Sequence, residues 1–158
     1  MGTTPGYRGV TARDMAPLVM RLRAAQIIAP DTLSPDMTAV TVAVWTDAAQ
    51  GHHANTIAEA VTMACRTWRE LRYYRPADLN CACQDIEAER IRNANLGLIQ
   101  PPEGLDAAAY AEWQTMLTLA IADGATVEQA IDVAAHVASA SQVSAQASGH
   151  PSLDQTHP

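Results

Sequence analysis

The sequence predicts an all-α protein, because apolar residues recur at helical spacing along most of the chain and capping residues precede these repeats. Phe is absent and Ala occurs 31 times, so the predicted core consists of helix interfaces lined by Val, Ile, Leu, Met and Ala. The one β-prone run, "AVTVAVW" at 39–45, follows a Ser-Pro pair that favours a helix start. We predict a small bundle of about four helices, then a C-terminal helical hairpin and a disordered tail.

The bundle is predicted over residues 1–95 and begins with two capped helices. Thr11 starts a capping box ahead of an apolar face, which predicts a first helix over 12–28. Pro35 follows a serine N-cap and suits the first turn of a second helix, which Gly51 would end.

Two further helices complete the predicted bundle. Thr56 opens a second capping box, and the apolar face that follows predicts a third helix as far as Tyr74. Pro76 is suited to the first position of a fourth helix, which continues to Asn95.

The C-terminal part has a different composition. Residues 96–104 contain two prolines and two glycines and are predicted to be a linker, and residues 105–143 are predicted to form an acidic helical hairpin. The Ser, Gln, Gly and Pro content of 144–158 predicts a disordered tail. An isolated hairpin buries too little surface to be stable, so we expect Trp113 and Leu117 to lie in a protein–protein contact or in a seam with the first domain.

Charge separates the same two parts. All ten basic residues are Arg and lie between Arg8 and Arg92, where ten acids balance them, so the net charge of −7 belongs to residues 93–158. That part should be repelled by nucleic acid. The sequence contains neither a long apolar run nor a secretory signal pattern, which predicts no membrane association and a cytoplasmic location.

The cysteine pair in "NCACQ" is the first candidate for a metal or redox site. On a helix, Cys81 and Cys83 point about 200° apart and cannot bind one metal ion, so a zinc site would require this segment to be a loop. We predict that Cys83 packs beside Leu79 and Ile86, and that Cys81 is partly exposed.

Other catalytic patterns are weak. His52 and His53 lie in a predicted helix connection, where adjacent histidines could bind metal or titrate but are more often solvated. Glu87 and Glu89 lie on diverging helix faces, and the sequence has no Gly-rich phosphate loop and no nucleophile elbow. We therefore expect no catalytic residues, no metal and no cofactor.

The strongest polar pattern is a set of arginines at three-residue spacing beside a tyrosine. On a continuous helix these arginines would spread over about half of the circumference. Guanidinium groups and aromatic rings can contact a partner or a nucleic acid, although the balanced charge predicts weak, salt-sensitive binding to DNA or none. The alternative is a solvated helix face with Arg66 paired to Glu70. The candidate contact residues are Arg66, Arg69, Arg72, Tyr73 and Arg75.

The order of features from residue 11 to 92 resembles a known family. The segments "DMTAVTVAVWTDAAQG", "EAVTMACRTW" and "RYYRPADL" look like the small helical N-terminal domain of phage replicative helicase loaders and inhibitors. The all-Arg, Ala-rich composition is similar to that of proteins from phages of high-GC actinobacteria.

The resemblance implies a non-enzymatic adaptor in phage DNA replication. Such a protein binds the hexameric replicative helicase of the host or phage in the host cytosol, and either delivers it or holds it inactive. In that family the helicase-contacting segment usually lies in a flexible C-terminal part, where this chain has two predicted helices. Two alternatives stay open: a DNA-binding regulator that uses the Arg66 to Arg75 face, and a self-assembling phage structural or host-takeover protein.

Overall fold

The computed structural model describes the backbone of residues 9–29 and 35–148, and the burial of side chains over 9–29 and 38–143. The predicted N-cap at Ser34 and the last ten residues of the predicted tail, 149–158, lie outside the described residues.

Six α-helices and one short 3-10 helix make up the regular structure of the described residues, which contain no strand. The all-α prediction is confirmed, and "AVTVAVW" is helical. The helices are α1 (Ala12–Ala24), α2 (Pro35–Ala48), α3 (Ala54–Thr67), α4 (Pro76–Asn93), α5 (Ala107–Ala122) and α6 (Val127–Ser148), and the 3-10 helix is Leu96–Leu98.

The chain divides into two compact units. The first unit consists of Met1–Asn93 with Ala122–Gly124, and the second consists of Ala94–Ile121 with Ala125–Pro158.

Helix α1 begins as predicted but ends earlier. The capping box is present, because the Thr11 hydroxyl accepts from the Asp14 N–H and the Asp14 carboxylate accepts from the Thr11 N–H. The predicted end at residue 28 is wrong. Gln26 adopts a left-handed φ of 58°, and the Ile27 N–H donates to the Leu22 carbonyl at 3.3 Å, which closes a Schellman turn.

Helix α3 departs most from the prediction. His53, not Thr56, is its N-cap, and its imidazole accepts from the Asn55 N–H at 3.3 Å. The helix ends at Thr67 rather than Tyr74, because Trp68 leaves helical geometry with a ψ of 119°. Residues 68–75 therefore form a non-helical connection.

Three other helix boundaries follow local sequence signals. Helix α4 begins at Pro76, and Gly51 and Gly124 have positive φ just beyond the ends of α2 and α5. Helix α4 ends at Asn93, two residues before the predicted end, and Asn95 then turns the chain with a left-handed φ of 49°.

The core of the first unit lies between its four helices. Helix α1 packs on α2 and α3, and α4 packs on the same two helices. Close packing here buries large aliphatic side chains completely. The largest of them are Met15, Val19, Leu22, Ile57, Val61 and Leu79.

The second unit contains α5 and α6. Thr126 and Gln129 exchange hydrogen bonds between side chain and backbone at the start of α6, as their spacing predicts. Helix α6 continues to Ser148, which is five residues into the predicted tail. The helix lacks Pro and Gly before residue 149, and its Ala content favours the helix in spite of low hydrophobicity.

Among the helices of the described residues, none is both long and apolar enough to cross a membrane.

Candidate functional site

A pocket of about 450 Å³ lies in the first unit and contains three of the predicted contact residues. This volume is within the range of ligand sites, about 300–1,000 Å³. Its walls come from the segment that follows α1, from α2, and from the connection that leads into the first residue of α4. The lining residues are Ile28, Ala29, Thr41, Trp45, Arg72, Tyr73, Tyr74, Arg75 and Pro76. We call this the aromatic pocket.

The connection 68–75 is fixed to the helices around it by hydrogen bonds. The Tyr74 N–H donates to the Ile27 carbonyl at 2.7 Å, which ties the connection to the end of α1. Within the connection, the Trp68 indole N–H donates to the Arg72 carbonyl at 3.0 Å. Although it is not helical, this segment therefore presents defined side chains to the aromatic pocket.

Three aromatic rings support the pocket. Tyr74 stacks on Trp45 with ring centroids 5.9 Å apart, and meets Trp68 edge-on at 4.9 Å. Trp45 and Tyr74 are each 4% exposed, so their rings form a floor instead of a rim. The Tyr74 hydroxyl has no hydrogen-bond partner among the described residues, and burial raises the pKa of this phenol.

Arg72 is held in place by acids. Its guanidinium donates to both carboxylate oxygens of Asp78, at 2.6 and 2.8 Å, and lies 3.5 Å from the Glu70 carboxylate. It also lies 4.9 Å from the Trp68 ring centroid, in a cation–π arrangement. The Arg72 hydrogen bonds hold the pKa of Asp78 below its usual range. Arg72 therefore lines the pocket with a guanidinium whose charge is neutralised by Asp78 and Glu70.

Arg75 differs from Arg72. Its side chain is exposed, while its backbone N–H donates to Asp78 at 2.7 Å. Among the described residues, no carboxylate lies within ion-pair distance of the Arg75 guanidinium. Arg75 therefore supplies positive charge to the pocket without an ion pair to a described acid, and acts on the Asp78 carboxylate only at longer range.

The predicted arginine face is not one helical surface. Arg66 lies in the last turn of α3, whereas Arg69, Arg72 and Arg75 lie in the non-helical connection. The pocket brings together Arg72, Tyr73 and Arg75 and leaves Arg66 and Arg69 outside its lining. The pairing of Arg66 with Glu70 is wrong, since Glu70 pairs with Arg72.

Exposed apolar side chains lie beside the aromatic pocket along the chain. Val40 and Val44 are 54% and 51% exposed on α2, one residue before the pocket-lining Thr41 and Trp45. Leu71 is fully exposed in the connection, and Tyr73 is 51% exposed. Val40 and Val44 are one helical turn apart and therefore lie on one face of α2.

Trp113 and Leu117, the other predicted contact residues, lie on α5 in the second unit. Each is 2% exposed and is therefore buried within this chain. Their role in a protein–protein contact stays a prediction.

The cysteines are placed as the helical spacing predicts. Cys83 is buried with Leu79 and Ile86, and Cys81 is exposed. Burial raises the pKa of the Cys83 thiol to about 12. In the part of the chain that the structure describes, no group of three or more His, Cys, Asp or Glu side chains is placed to hold a metal ion.

The sequence did not indicate that His52 is buried. The prediction of a solvated pair is wrong for His52, which is 6% exposed and contacts Glu87 Oε1 through Nδ1 at 3.0 Å and Asn80 Oδ1 through Nε2 at 2.8 Å. Asn80 and Glu87 are two helical turns apart on one face of α4, a spacing that the sequence does contain. This spacing could have suggested that the Asn80 and Glu87 side chains contact the same residue. Only the fold identifies that residue as His52.

Comparison of the chain with family models, with curated proteins and with solved structures found no match.

Proposed function

We propose that the protein is a non-enzymatic adaptor that binds another protein through the aromatic pocket. The observation that carries the proposal is the combination of a Trp45 and Tyr74 floor with Arg75 and Tyr73 at the edge. Trp, Tyr and Arg are the residues most enriched at the energetic centres of protein interfaces.

The chemistry of the pocket supports binding more than catalysis. Its described lining contains no carboxylate, imidazole or thiol, which are the usual acids, bases and nucleophiles. Burial disfavours ionisation of the Tyr74 phenol by raising its pKa, and Arg72 is engaged by Asp78 and Glu70. What the lining offers is apolar surface, ring faces and positive charge.

The partner proposed is the hexameric replicative helicase. Two of the three segments that resemble helicase loaders and inhibitors contribute residues to the lining of the pocket. "DMTAVTVAVWTDAAQG" supplies Thr41 and Trp45, and "RYYRPADL" supplies the residues from Arg72 to Pro76. This coincidence supports a shared role for the segments in partner binding.

A pull-down with the full-length chain and the purified host helicase tests the proposal. Arg75→Glu reverses the charge at the pocket, and Tyr73→Ala removes an exposed ring. Arg92→Glu is the matched control, because exposed Arg92 lies on α4 roughly 24 Å along the helix axis from Pro76. We expect the unmodified chain and the control to retain the helicase, and both pocket variants to lose most of the retention.

Two results would contradict the proposal. Failure of the unmodified chain to retain the helicase rejects the partner. Equal retention by the pocket variants rejects the site. Salt-sensitive retention of duplex DNA that Arg75→Glu abolishes, without helicase binding, would favour the DNA-binding regulator instead.

A further inference from the structure

The aromatic pocket has an apolar floor that is already ordered. Tyr74 is fixed by its backbone hydrogen bond to Ile27 and by ring contacts with Trp45 and Trp68. An apolar group that enters such a site gains contact without the cost of first ordering the rings. The floor therefore suits an aliphatic or aromatic side chain from a partner.

The positive charge at the edge of the pocket favours partners that carry negative charge. The segment from Arg66 to Asp78 contains four arginines and two acids. Because both acids contact Arg72, they leave the exposed Arg75 without a described counter-ion. Guanidinium groups pair with carboxylates in a fork geometry, so carboxylates are the matching groups on a protein partner.

Phosphate is the competing anion, and the geometry favours it less. Nucleic-acid backbones are bound by several cations that follow the strand. Here one of the two pocket-lining arginines is neutralised, and the whole chain carries a net charge of −7.

We infer that the aromatic pocket binds a segment of a partner protein in which an apolar side chain is flanked by carboxylates. The apolar side chain rests on Trp45, and a flanking carboxylate pairs with Arg75. This inference rests on the proposed function, since it names the chemistry by which the adaptor recognises its partner.

Synthetic peptides test this chemistry on the full-length chain. The probe is a short extended peptide with a central leucine between aspartates. One comparison peptide has lysines in place of the aspartates, and another has serine in place of the leucine. Binding is measured by titration calorimetry, and the contact surface by shifts of backbone amide resonances. A short oligothymidylate serves as the phosphate probe.

We expect the aspartate–leucine peptide to bind at least about tenfold more tightly than either comparison peptide, with shifts centred on Ile28, Trp45 and Tyr73. Arg75→Glu should weaken it by at least about tenfold and improve binding of the lysine peptide. Arg92→Glu should leave both affinities unchanged. An unchanged amide spectrum outside the pocket checks that Arg75→Glu is folded.

Several results would overturn the inference. These are equal binding of all three peptides, shifts that map away from the pocket, or binding of oligothymidylate that is tighter than that of the aspartate–leucine peptide. Salt-dependent self-association that Arg75→Glu abolishes would place the acidic segment in a second copy of this chain, and would also overturn it.

The two proposals fail separately. Helicase retention that depends on Arg75, without peptide discrimination, rejects the inferred chemistry and leaves the adaptor function. Peptide discrimination without helicase retention supports the chemistry and rejects the helicase as the partner.

Discussion

The core of the first unit and helix α6 of the second unit bury different kinds of side chain. The first unit completely buries large aliphatic residues such as Met15, Leu22 and Leu79, whereas α6 of the second unit buries Ala130, Ala134 and Ala138. Large side chains stabilise by the apolar area they remove from water, and alanine stabilises by allowing close approach and by its helix propensity. The core of the first unit therefore depends on filled volume and the buried face of α6 on small volume, whereas α5 buries the large side chains of Trp113, Leu117 and Ile121.

The hydrogen bonds of the two units also differ. In the first unit, hydrogen bonds join elements distant in sequence, such as His52 to Glu87 and Arg90 to Thr56. In the second unit, Asp106 and Thr126 cap helices within three residues of themselves, and the hydrogen bond between residues distant in sequence, from the Gln142 amide to the Gly104 carbonyl at 3.1 Å, is exposed. Long-range polar contacts fix how helices pack, while caps fix only where helices begin.

The largest effect on stability is expected for Leu79→Ala in the first unit. Leu79 is fully buried, so truncation loses apolar contact and leaves a cavity, with an expected loss of about 2–5 kcal/mol in the free energy of unfolding. Urea unfolding followed by circular dichroism measures it. Leu71→Ala is the control, because fully exposed Leu71 should change the same quantity by less than about 0.5 kcal/mol. Equal effects would show that Leu79 is not in a packed core.

In the second unit, the corresponding test is a substitution that enlarges a buried side chain. Ala134→Leu inserts a large side chain where the alanine is fully buried, and we expect a loss of about 1–3 kcal/mol in the free energy of unfolding. Ala140→Leu, at an exposed position of the same helix, should cost little or nothing. If Ala134→Leu stabilises the protein, the alanine face has spare volume, and the contrast between the two units is lost.

One histidine in each unit allows the same comparison for polar contacts, because His52 is buried and His136 is exposed. His52→Ala leaves the partly buried Glu87 and Asn80 without their partner, with an expected loss of about 1–3 kcal/mol. His136→Ala, at an exposed position of α6, should be close to neutral. Thermal unfolding of both variants decides whether the buried contacts of His52 stabilise the fold. Identical midpoints would argue against it.

The smallest expected effect concerns pH. The pKa of Asp78 is lowered by its hydrogen bonds to Arg72, so its contribution to stability is complete above the unfolded-state value of about 3.9 and is lost as pH falls through the lower folded value. Unfolding midpoints measured across acidic pH should therefore fall more steeply below about pH 4 in the unmodified chain than in Asp78→Asn.

Asp85→Asn, at an exposed position of α4, is the control for this experiment. Its acid profile should follow that of the unmodified chain. A parallel profile for Asp78→Asn would mean that the Arg72 pair does not persist in solution.

Local signals were enough to predict where most helices begin and some of the places where they end. Thr11, Pro76 and Thr126 mark their helix starts through hydrogen bonds or ring geometry that involve only the next few residues. Gly51 marks a stop because it adopts positive φ at no steric cost. The stop of α1 carries no such signal, since Gln26 adopts the left-handed conformation without being glycine.

The candidate site could be predicted only in part. The sequence predicted Arg72, Tyr73 and Arg75 as candidate contact residues, and all three line the pocket, but it placed them on a helix. That helix ends at Thr67 because Trp68 gains contacts with Tyr74 and Arg72, and these tertiary contacts outweigh the helical periodicity. The role of Trp45 in the floor depends likewise on how α2 meets the connection before α4.

The position of Trp68 gives the protein a built-in spectroscopic reporter. Its indole N–H donates to the Arg72 carbonyl, its ring lies under the Arg72 guanidinium, and its edge meets Tyr74. Any occupant that moves Arg72 or Tyr74 changes the magnetic environment of that indole proton. Occupancy of the aromatic pocket should therefore be visible in the unlabelled protein as displacement of a single downfield proton resonance.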